Sequence, residues 1–139
     1  MIKIEEREAF WNELNGALNG TGISAISPKP GCAYIKYESI QSCITVEGNL
    51  SSRGEHPYES KIWVKFNDND RNVRNQKADD LLLDLRNVGF NAEIDPNEAQ
   101  GFAKVIIYDT NSTPNTDYQH DAGTTAELLK NIEKYLQRI

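Results

Sequence analysis

One stretch fixes most of what this chain can fold into: Ala78–Val88, then Gly89, then Phe90–Ile94. Leu81, Leu82, Leu85 and Val88 recur at three- and four-residue spacing, which puts them on one side of an α-helix. Gly89 falls where a helix ends, since glycine takes a left-handed conformation without a Cβ clash. Phe90, Ala92 and Ile94 then alternate with Asn91 and Glu93, the period of a half-buried strand. A helix that runs into a strand through one glycine needs a sheet to lie on. The apolar segments Lys61–Phe66 and Ala103–Tyr108 supply it, and Asp95-Pro96-Asn97-Glu98 makes the turn by which Phe90–Ile94 and Ala103–Tyr108 pair antiparallel.

The rest of the chain fits around that centre. Glu5–Leu18 predicts an amphipathic helix with Phe10, Trp11, Leu14 and Leu18 as its apolar stripe, stopped by Asn19-Gly20-Thr21-Gly22. Pro28-Lys29-Pro30-Gly31 predicts a rigid turn. Ala33–Tyr37 and Ser42–Val46 are strand-like, and Ile23–Ile26 is a candidate for a further short strand. The segments 48–58, 67–77 and 111–123 are polar and broken, so they are expected as exposed connections. Thr124 and Glu127 have capping-box spacing before a final helix, Thr125–Arg138, whose stripe is Leu128, Leu129, Ile132 and Leu136. The predicted order is α-β-β-β-α-β-β-α: one α+β domain over residues 1–139, with an antiparallel sheet of about five strands and helices at its start, middle and end.

Several landmarks carry a resemblance over nearly the whole length. They are the pair Phe10-Trp11, the turn Pro28-Lys29-Pro30, the strand Ile62-Trp63-Val64-Lys65-Phe66, and Gly89-Phe90 after a helix. In these the chain resembles an uncharacterised bacterial domain found alone or after a nuclease-like module. The tryptophan frequent in that family after the glycine is missing, because Phe90–Ile94 contains none. The resemblance implies a fold and brings no activity with it.

Charge and cysteine content narrow the function classes. Fifteen Lys and Arg stand against 21 Asp and Glu, a formal net charge of −6, which on average repels nucleic acid. Cys32 and Cys43 have neither CxxC nor zinc spacing. No apolar run approaches the roughly 20 residues of a membrane span, and no secretory pattern opens the chain, so a cytoplasmic location is expected. G-x-S-x-G, HExxH, P-loop and GxGxxG motifs are absent, which leaves nucleophilic hydrolysis and nucleotide cradling without support.

Four constellations remain. The order α-β-β-β-α-β resembles the core of restriction-type nucleases, where two carboxylates hold Mg²⁺ and a lysine two residues after the second steadies charge. Glu47, Glu59 and Lys61 could fill those roles, although the usual first carboxylate is Asp and none occurs before Asp68. Asp68, Asp70, Asn72 and Asp79 stand in a calcium-loop register, but Val73 occupies the place of the required glycine, so a solvated loop is the better reading. His120 between Asp117 and Asp121 reads as a local cap or salt bridge rather than a metal ligand.

The fourth constellation is a recognition surface. Arg53, His56, Tyr58, Lys61, Trp63 and Lys65 combine planar cations with aromatics, the types enriched at binding hot spots. If Ile62, Val64 and Phe66 face the core, Lys61, Trp63 and Lys65 share the other face. The sequence therefore predicts a small acidic module that binds a macromolecule, expected to be a protein, as immunity, inhibitor or regulatory proteins do. No cofactor is implied on this reading; its alternative is the Mg²⁺-dependent nuclease.

Overall fold

The computed structural model describes the backbone of residues 4–29, 32–49, 61–95, 101–108 and 118–139, and the side chains of all of these but 4–7, 27–29, 32, 49 and 118–121. The elements run α1 (Ile4–Leu18), β1 (Ile23–Lys29), β2 (Cys32–Tyr37), β3 (Ile44–Asn49), β4 (Lys61–Phe66), α2 (Arg71–Asn87), β5 (Asn91–Asp95), β6 (Ala103–Tyr108) and α3 (Tyr118–Gln137). Six antiparallel strands form one sheet in the order β1-β2-β3-β4-β6-β5. The α+β class with helices at start, middle and end is as the sequence predicts, and the short strand at Ile23 becomes a full member of the sheet.

Strand periodicity and register together create two unlike faces. Ile35 pairs with Val46, Val46 with Val64, Val64 with Val105 and Val105 with Ile94, so one row of apolar side chains crosses five strands. This face, with Ile62, Phe66 and Ile107, is buried beneath the helices, apart from Ile94 on the edge strand, which is half-buried. Phe10, Leu14 and Leu18 of α1, Ala78, Leu81 and Leu85 of α2, and Leu129, Ile132 and Leu136 of α3 join it in one core. α1 packs along α3 and touches β1, while α2 covers β4, β6 and β5. Tyr37 ties the layers together: its hydroxyl donates to the Leu129 carbonyl at 2.6 Å.

Several boundaries differ from the sequence reading. β3 runs on to Asn49, into the expected connection 48–58, because Gly48 and Asn49 pair with Ile62 and Lys61 and so continue the ladder. α2 begins at Arg71 rather than near Ala78, because Asp70 accepts from the backbone N–H groups of Asn72 and Val73 and caps its first turn. Those first turns are polar, so no apolar stripe marks them. α3 begins at Tyr118, which places Thr124 and Glu127 inside the helix rather than at its cap. Thr125 is fully buried there. Pro28 and Lys29 belong to β1, with a register irregularity between Ile26 and Lys29, where a turn had been expected. Proline is tolerated because β1 is an edge strand with one side unpaired.

The join between α2 and β5 follows the predicted pattern. Gly89 has φ +94°, the left-handed region, and Phe90 N–H donates to the Leu85 carbonyl at 3.0 Å, closing the helix end. Val88 departs from the predicted stripe. As the C-terminal cap it turns outward and is 53 % exposed.

Candidate functional site

The second face of the sheet is the candidate site, and strand alternation builds it. In β4, Ile62, Val64 and Phe66 are buried whereas Lys61, Trp63 and Lys65 are half-buried, so the last three share the outer face as predicted. β6 shows the same alternation, with Ala103, Val105 and Ile107 inward and Lys104, Ile106 and Tyr108 outward. Register then aligns the outer residues: Trp63 lies opposite Glu47 on one side and Ile106 on the other, Lys61 opposite Tyr108, and Lys65 opposite Lys104. Further out stand Tyr34 and Lys36 of β2 and Glu93 and Asp95 of β5. No described residue of this face is fully buried.

The face is a lattice of mutually satisfied charges and rings. Lys65 Nζ lies 3.0 Å from Glu47 and Lys104 Nζ lies 3.0 Å from Asp95. Lys104 also stands over the Trp63 ring at 5.6 Å, Lys61 over Tyr108 at 5.5 Å, and Lys65 over Phe102 at 4.8 Å. The Tyr108 hydroxyl donates to Glu93. Partly exposed contacts of this kind contribute about 0.5–1 kcal/mol each, so they orient side chains more than they hold the fold. At the β1 end Ile26 lies opposite Tyr34, and these are 55 % and 49 % exposed, an apolar pair facing outward. Four lysines and three carboxylates occupy the described part of this face, so the acidic excess of the chain lies elsewhere.

Both edges of the sheet are blunted against an added strand. β1 carries Pro28 and its irregular register. On β5, the Arg86 guanidinium donates from Nε to the Ala92 carbonyl at 3.0 Å. Among the described residues, neither edge therefore offers a regular, unobstructed template for an added strand.

Of the predicted binding residues, the structure brings Lys61, Trp63 and Lys65 together on this face; Arg53, His56 and Tyr58 lie outside the described residues. Of the nuclease set, Glu59 also lies outside them. Glu47 shares the outer face with Lys61 but stands opposite Trp63, with Lys61 and Lys65 as its two diagonal neighbours, and its carboxylate turns to Lys65. The calcium register is put to other uses. Asp70 caps α2 and Asp68 holds Lys77 at 2.8 Å, a contact that raises the lysine pKa. His120 lies on α3, beyond the described side chains.

Sequence reasoning missed Lys104, Ile106 and Tyr108. Alternation in Ala103–Tyr108 marks them as one row, but its apolar outer residue Ile106 hides which row faces out.

Among the described residues, fold and face together define an α+β domain that covers one side of its sheet with helices and carries a mixed aromatic and charged platform on the other. Comparison with known proteins finds no match to a family model, to a curated protein or to a solved structure.

Proposed function

We propose that this chain is a small binding module of the immunity, inhibitor or regulatory kind, acting in the cytoplasm, that grips a protein partner with the outer face of its sheet. The observation that carries this is Trp63. It is half-buried, outside the core, on a central strand of that face, between Lys61 and Lys65, with Lys104 over its ring. Tryptophan and tyrosine surrounded by polar residues form the usual centre of a protein interface. Charge favours protein over nucleic acid as the partner. Glu47, Glu93 and Asp95 are interspersed among the lysines and would meet phosphates with repulsion, whereas a protein can offer both signs.

The test is affinity capture from the source lysate with the parent chain and with Trp63→Ala in parallel, followed by calorimetry on the purified pair. A hot-spot tryptophan costs about 2 kcal/mol or more on truncation, close to a thirtyfold loss of affinity. A partner that binds Trp63→Ala as tightly as the parent removes the sheet face from the interface.

A further inference from the structure

The helix layer carries a second feature, independent of the sheet face because it lies on the opposite side of the molecule. α3 spaces Lys130, Lys134 and Arg138 at intervals of four residues, so the three cations follow one flank of the helix and its exit. Beside that flank passes the turn between α2 and β5. Helix and turn enclose a groove of about 350 Å³ that includes Val88, Phe90, Lys130, Lys134 and Tyr135.

The groove has an apolar floor and a cationic wall. Phe90 meets Tyr135 edge to face with ring centroids 6.2 Å apart, and Val88, turned outward as the helix cap, is 53 % exposed at the rim. Lys134 and Arg138 each stand 5.2 Å from the Tyr135 ring centroid. Neither makes a salt bridge among the described residues. Lys130 reaches only Glu127, one turn away, whose carboxylate is 64 % exposed, a pairing that water and salt readily exchange. The one carboxylate among the lining residues, Glu133, accepts from the Ser39 hydroxyl at 2.8 Å; it keeps its charge, so cations outnumber it in the row rather than standing alone.

We propose that this groove docks a short acidic segment of another protein carrying one aromatic or aliphatic side chain. The apolar side chain enters over Phe90 and Val88, and carboxylates beside it meet Lys130, Lys134 and Arg138. Charge complementarity selects this occupant. On a chain of net charge −6, three cations in one row beside exposed apolar surface are a local arrangement against the overall balance. An apolar segment without charge would leave two lysines desolvated at the rim, and a basic segment would be repelled by them. Apolar floor and charged wall together match the way acidic amphipathic segments are gripped, with the side chain giving affinity and the charges giving register.

The experiment titrates the isotopically labelled full chain with a panel of short synthetic peptides, each placing Phe, Leu or Trp between Glu and Asp residues. Every peptide is paired with a Gln-for-Glu control and an Ala-for-anchor control. The expected result is binding with amide shifts confined to residues 88–90 and 130–138, weakened about tenfold or more by either control or by Lys134→Glu. Lys134→Gln, which keeps the helix propensity, should lose part of that affinity and so separates charge from folding. The proposal is overturned if no peptide binds better than its Gln control, if the shifts fall on residues 61–65 and 104–108, or if Lys134→Glu leaves affinity unchanged. A single-stranded oligonucleotide that displaces the best peptide at equal charge would make the groove a general polyanion site and overturn it as well.

Discussion

Replacing Tyr37 by phenylalanine removes one oxygen atom from the middle of the molecule and leaves the ring in place. The hydroxyl is buried and donates to the Leu129 carbonyl at 2.6 Å, linking β2 to α3 across the core. Leu129 lies inside α3, so its carbonyl keeps a helical acceptor role when the tyrosine hydrogen bond is lost. The cost is then a net hydrogen bond without an orphaned partner, about 1 kcal/mol, or about 2–5 °C in Tm for a chain of this size. A second signature comes from pH. Burial pushes the Tyr37 hydroxyl pKa well above its ordinary value, and the nearby Glu133 charge pushes it the same way.

A folded-state pKa raised above the unfolded one means that the stabilisation is complete below about pH 10 and is lost as pH rises beyond it, because only the unfolded chain ionises there. The parent should therefore lose about 0.8 kcal/mol relative to Tyr37→Phe by about pH 10.5, which nearly closes the gap between them. Urea unfolding of both proteins from neutral pH to about pH 10.5 measures this directly, and the difference between them cancels every other titrating group. Stability curves that stay parallel across that range would mean that the hydroxyl ionises freely in the folded protein. Equal stability at neutral pH would mean that it makes no useful bond to α3. Either result refutes the burial reasoning.

Two further expectations concern the central helix. Leu85→Ala should cost about 2–5 kcal/mol, because Leu85 is fully buried where α2 covers the sheet and truncation leaves a cavity; a melt indistinguishable from the parent would remove α2 from the core. Arg86→Ala should cost only about 1 kcal/mol but raise self-association, since it frees the Ala92 carbonyl on an edge strand. Sedimentation at rising concentration checks this, and a variant as monodisperse as the parent would deny Arg86 any guarding role.

Local sequence determined those parts of the protein whose physics is local. Lys61–Phe66 is a strand in its full predicted extent because its alternation is strict and both faces have something to do. The α2–Gly89–β5 join follows from one residue able to hold φ +94°. The same alternation placed Lys61, Trp63 and Lys65 on one side before any tertiary contact was known, since side-chain direction along a strand is a property of the backbone.

Tertiary structure decided the rest. The first turns of α2 are helical although polar, because Asp70 caps them and Lys77 reaches Asp68; an apolar periodicity cannot report on turns that bury little. α3 starts six residues before its expected cap at Thr124 because Ala122, Thr125 and Ala126 have a core to enter, which tipped the balance against the local capping signal. The candidate site needed long-range register above all. Periodicity says which residues lie on the same side of a strand, but only the pairing of β3, β4 and β6 sets Glu47, Trp63 and Ile106 in one row. Only the packing of all three helices on the opposite face keeps that row out of the core.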